Sequence, residues 1–180
     1  MKRVFLALTM LLSLSAFGQE IKFMGLNLGM NVEEFCKALK SKGLKQTIDR
    51  FEEKEFEGTF ATYPGCRIIV KATEVSKKVK SVEVQFNSIR GKEYEVDCAF
   101  DAIVEQYKNK YGEKLTKEPY DKFMGMETCN VKDGDLNIQI DKFTPSVLSP
   151  DRASSLSVFY FSKSLQQLKE VNPNKHSDDI

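Results

Sequence analysis

The chain has 180 residues, with 27 Lys and Arg against 26 Asp and Glu, four Cys, one His and no Trp. A near-neutral balance excludes the basic footprint of a nucleic-acid-binding domain. The densest basic spot, Lys77-Lys78-Val79-Lys80, reads as a solvated hairpin tip, and the length suits one domain or two small fused halves.

The first residues have the three-part form of a secretory signal: Lys2 and Arg3, an apolar run from Val4 to Leu14, then Ser15-Ala16-Phe17-Gly18. Ala16 and Gly18 put small residues three and one before the Gly18–Gln19 bond, where signal peptidase needs room. The run is shorter than the roughly 20 apolar residues that span a bilayer, and no Cys follows it to take a lipid. Residues 1–18 are expected to be removed, leaving an exported periplasmic or extracellular chain with no stable membrane anchor. Losing Lys2 and Arg3 takes the formal charge from +1 to −1.

A first helix is predicted over 31–42. Asn31 can cap it with Glu34 three residues on, and Val32, Phe35, Cys36 and Leu39 share one face. Residues 45–55 carry a weak signal, in which Lys45 to Asp49 suits an edge strand. Strands are predicted at 56–62, ended by Tyr63-Pro64-Gly65, then at 66–73 and 79–87, where Val82, Val84 and Phe86 alternate with polar residues. A second, longer helix is predicted over 93–111, with Val96, Phe100, Ile103, Val104, Tyr107 and Tyr111 on its apolar face. Strands at 123–132, 135–143 and 154–161 follow, the first two joined at Asp133-Gly134. Ser164 to Val171 suits a terminal helix, and the tail beyond is polar. Phe35, Leu39, Val70, Val84, Ile103, Tyr107, Ile138 and Val158 are the predicted core.

The order is helix, three strands, helix, three strands. The fold class expected is α+β, with two tandem helix-plus-three-strand repeats (19–90 and 91–165), helices on one face of antiparallel sheet, and a C-terminal piece at 166–180. The cysteines keep time with the repeat: Cys36 to Cys66 spans 30 residues and Cys98 to Cys129 spans 31. An even count in an exported chain, with no C-x-x-C metal spacing, points to two disulfides. Repeat symmetry favours Cys36–Cys66 and Cys98–Cys129. Cys98, however, lies nearly opposite the direction shared by Phe100 and Tyr107, which leaves its partner open.

Phe23-Met24-Gly25-Leu26, Phe35 with Leu39 to Gly43, Phe56-x-Gly58-x-Phe60 and Lys108-x-Lys110-Tyr111-Gly112 resemble small secreted bacterial proteins of unassigned function. The tandem plan is similar to the β-lactamase-inhibitor-protein-like fold, of which the SmpA/OmlA-type outer-membrane assembly lipoproteins carry a single smaller version. The resemblance implies an exported binding or assembly module and brings no catalytic residues. The chain departs from those lipoproteins in lacking a lipidated Cys, and from the inhibitors in lacking Trp.

Chemistry at neutral pH usually needs a proton-shuttling residue, and the only His is His176 in the polar tail. Without a core His, Ser-His-Asp, Cys-His and His-based zinc arrangements are excluded. Glu52, Glu53, Glu55 and Glu57 are dense enough for paired-carboxylate hydrolysis but read better as a solvated edge. Asp133-Gly134-Asp135 lacks the twelve-residue calcium pattern with its terminal Glu. No catalytic, cofactor or metal residues are therefore assigned. What remains is a candidate binding surface of Phe60, Tyr63, Tyr120, Met124, Met126 and Phe159, on a sheet face left open by the helices. The function expected is a non-catalytic module that binds an envelope or extracellular protein or peptide. The alternative is a small-molecule or lipid carrier with an apolar cavity between helix and sheet, and an acidic-residue hydrolase comes third.

Overall fold

The structure is a computed structural model that describes residues 22–50 and 52–168. The signal segment, His176 and the polar tail lie outside the described residues. Helix α1 (Val32–Ser41) leads into strands β1 (Lys45–Asp49), β2 (Glu53–Phe60), β3 (Tyr63–Ala72) and β4 (Val79–Gln85). Helix α2 (Glu93–Tyr111) leads into β5 (Leu115–Lys117), β6 (Met126–Asp133), β7 (Leu136–Phe143) and β8 (Ser155–Ser162), and a short α3 (Lys163–Gln167) follows. All eight strands form one antiparallel sheet in the order β1-β2-β3-β4-β8-β7-β6-β5. The fold is thus α+β around a single sheet, joined at its centre where β4 pairs with β8.

Each helix is followed by four strands rather than three. β1 is the edge strand expected at Lys45 to Asp49, and β5 is the addition: Leu115-Thr116-Lys117 carries one apolar residue, so it does not announce itself by alternation. The β2–β3 hairpin also turns earlier than its sequence suggests. Phe60 pairs with Tyr63, and Ala61 and Thr62 take positive φ of 46° and 74°, the backbone that a two-residue hairpin needs. Tyr63-Pro64-Gly65 is therefore the start of β3, not the end of β2.

Antiparallel partners share a face, so the register sorts the side chains. One continuous row runs Phe56, Ile68, Val84, Val158, Ile140, Cys129, and the next runs Val70, Val82, Tyr160, Ile138, Val131. All of these are buried in one apolar cluster with Phe35 and Leu39 of α1 and Val96, Phe100, Ile103 and Tyr107 of α2. The Asn31 side chain caps α1 by accepting from Glu33 N at 2.9 Å. Gly58 explains the Phe56-x-Gly58-x-Phe60 pattern. A Cβ there would come within 2.2 Å of Leu44 Cδ2, so the missing side chain is what lets the buried Leu44 side chain pack against β2 at Gly58.

The structure shows no disulfide among the four cysteines. Cys36, Cys66 and Cys129 are buried, Cys98 is exposed, and all four are free thiols. Cys36 sits beside Lys54 and Asp49, whereas Cys66 pairs across from Gly58. Lys54 and Gly58 are four residues apart on one strand, about 13 Å, too far for a bridge between residues beside them. Cys98 faces away from the sheet whose covered side holds Cys129.

Candidate functional site

The other side of the sheet has no helix lying across it among the described residues; α3 only abuts one end, where Gln166 approaches Phe159 and Phe161. The register places Glu55, Ile69, Glu83, Phe159, Gln139 and Asn130 in one transverse row on this side. Glu57, Arg67, Gln85, Ser157, Asp141 and Thr128 form the next. Phe161 and Phe143 lie on the same side, further along β8 and β7. The face is therefore polar at its flanks with an aromatic ridge on the central strands.

Its polar groups are held in place. Arg67 grips Glu55 through both its Nε (2.7 Å) and Nη2 and reaches Gln85 at 3.4 Å, while Gln85 donates to Glu83 at 2.6 Å. The fork of hydrogen bonds from Arg67 holds the Glu55 carboxyl below its ordinary pKa despite burial. On the far side Asp141 accepts from Thr128 Oγ1 and Gln139 Nε2, both at 2.8 Å, and Asn130 donates to Glu118 at 2.7 Å. Burial pushes the Asp141 carboxyl up, against the pull of those two donors. At one end Arg152 stacks on Phe143, its guanidinium carbon 3.7 Å from the ring centre.

The six predicted surface residues do not form one patch. Phe159 and Met126 are half-buried on the open side, Met126 opposite Phe143. Phe60 belongs to the core, stacked on Phe23 at 5.7 Å, and Tyr63 is half-buried edge-on to Phe86 at 5.5 Å. Tyr120 and Met124 are exposed on the loop between β5 and β6. Phe60 shares the alternation of Phe56 and Gly58 on the covered side, and the extra residue of the irregular register lies on β3, where it brings Tyr63 opposite Phe60. Phe161, Phe143, Arg67 and Asp141 were not foreseen as part of a site. Phe161 was readable, because it shares the alternation of Phe159 in Ser155-Leu156-Ser157-Val158-Phe159-Tyr160-Phe161.

Among the described residues no group of three or more His, Cys, Asp or Glu could hold a metal ion, and no helix is long and apolar enough to cross a membrane. No protein-family model, curated protein or solved structure gives a match. The arrangement of these side chains is therefore the guide to function.

Proposed function

We propose that the protein is an exported, non-catalytic binding module that engages a protein partner through the open face of its sheet. The observation that carries this reading is the Phe159–Phe161 ridge, half-buried on an uncovered face and flanked by polar groups already locked by Arg67 and Asp141. A preorganised polar surround loses little freedom on association, and aromatic side chains dominate interface energetics. The partner offers apolar side chains to the ridge and hydrogen-bond donors to Glu83. Glu55 and Asp141 of this face are committed to donors within the sheet, Glu55 to Arg67 and Asp141 to Thr128 and Gln139, which does not suit a pair working across a sugar bond. The helix-plus-four-strand order in both halves supports an internal duplication of the kind seen in the β-lactamase-inhibitor-protein-like plan.

The test is co-purification from the native envelope with two variants, one on each side of the sheet. A partner retained by native protein and by Lys110→Glu, on the other side of the sheet, but lost on Phe159→Arg supports the reading. A partner retained by Phe159→Arg overturns it.

A further inference from the structure

The helix-covered side holds a second feature. A cleft of about 490 Å³ opens between the last turns of α2 and the end of the β2–β3 hairpin, a size ordinary for small-molecule sites. Met24, Phe60 and Tyr111 form apolar walls, and Tyr107 and Tyr160 line it more deeply. The walls are fixed by ring contacts: Phe60 meets Tyr160 at 6.5 Å and Tyr107 meets Tyr111 at 5.8 Å between centroids. The cleft therefore exists before any ligand arrives.

Two polar features point into this apolar space. The Tyr107 and Tyr160 hydroxyls hydrogen-bond to each other, and neither has another hydrogen-bond partner among the described residues. Two phenols carry two protons, and only one lies between the oxygens. The second O–H is free to donate to an acceptor in the cleft. Burial pushes both phenols up, so both stay protonated at neutral pH. At the rim stands Lys110, its ammonium 5.0 Å from the Tyr111 ring centre. Among the described residues lining the cleft there is no Asp or Glu. A cationic rim on an apolar cleft selects an anionic oxygen acceptor at the mouth with an apolar body behind it.

We propose that this cleft binds an amphipathic carboxylate, its apolar body against Phe60, Met24 and Tyr111 and its carboxylate beside Lys110. The site is independent of the open face and needs none of its residues.

Equilibrium dialysis of purified protein with radiolabelled dodecanoate tests it, with dodecanol and dodecyltrimethylammonium as competitors. Saturable one-to-one uptake is expected, with the cationic amphiphile competing at least about tenfold more weakly than unlabelled dodecanoate. Lys110→Glu should weaken dodecanoate by about tenfold and leave competition by dodecanol as it was. Gln106→Trp, an exposed position on the cleft lining, should block uptake of both. Both substituted residues are exposed, and circular dichroism checks that the variants fold. Absence of saturable uptake overturns the proposal. So does equal competition by the cationic amphiphile, or native dodecanoate affinity in either folded variant.

Discussion

Lys142 of β7 and Asp97 of α2, 45 residues apart in sequence, close to 2.8 Å between Nζ and Oδ1. Lys142 also reaches Glu127 of β6 at 2.7 Å and lies 4.9 Å from the Phe100 ring centre, with its side chain only 14% exposed. It rises from the covered side of the sheet and fastens α2 over β6 and β7. Lys142→Ala removes the cation from Asp97 and one of the two cations from Glu127. It should lower stability by about 1–3 kcal/mol, the range for hydrogen bonds to charged groups, read as a shift in urea midpoint with little change in slope. A midpoint equal to the parent would mean that α2 is held by its apolar face alone.

Gly125 fixes the loop before β6 against the loop after β7. Its N–H lies in a backbone with φ of 63°, and a Cβ there would fall 2.2 Å from Thr144 O and 2.8 Å from Ser146 Cβ. Thr144 N donates to Gly125 O at 2.8 Å, tying the loops together. Gly125→Ala should separate them at a cost of roughly 1–3 kcal/mol from strain and clash. Limited proteolysis should then cut near Phe123 or Leu148, both exposed, faster than in native protein. Unchanged cleavage would show that the loops do not depend on this approach.

The thiols should divide one against three. Burial pushes Cys36 and Cys66 up to about 11 and raises Cys129 as well, so few thiolates form and access is poor. Cys98 is exposed on the outer side of α2. Native protein should react quickly with one equivalent of a disulfide-exchange reagent at mildly alkaline pH, and with four after denaturation. Fewer than four in denaturant, without reductant, would show bridges.

Stability should fall as acid protonates the paired carboxylates. Glu55 beside Arg67, Glu127 beside Lys117 and Lys142, and Asp135 beside Ser162 and Ser164 are all held below their ordinary values. A depressed folded pKa contributes stability that is complete above the unfolded pKa and lost as pH falls through the folded one. Asp141 has the opposite sign: raised by burial, its charged form costs stability at neutral pH, and protonation relieves that cost. Urea midpoints measured from pH 7 down to about pH 3 should show a shallower fall for Glu55→Gln and a steeper one for Asp141→Asn. A Glu55→Gln profile parallel to the parent would remove the Arg67 pair from the acid response.

Both long helices were legible because 3.6-residue periodicity in Val32-Phe35-Cys36-Leu39 and Val96-Phe100-Ile103-Tyr107 admits little else, and all eight predicted core residues are buried. Six strands could be read from alternation, with ends shifted by a few residues. β5 could not, since three residues with one apolar side chain carry no period. The binding surface was harder. Alternation shows which residues share a face but not which face the helices cover, so Phe60 could be grouped with Phe56 and Gly58 but not assigned to the covered side. The cleft was out of reach, because the Tyr107–Tyr160 contact joins residues 53 apart through the sheet order rather than through any local pattern.

That sheet order also sets a schedule. β4 is central, yet its second neighbour is β8, the last strand to be made. Val82 must wait for Tyr160, and Val84 for Val158, so through most of synthesis β4 presents an unsatisfied edge with an apolar side. Such an edge is a template for wrong pairing, and distant pairing slows folding. A chain cut within the 86–92 connection would leave each half with that edge bare. The two pieces should therefore seek each other, and each alone should be prone to self-association.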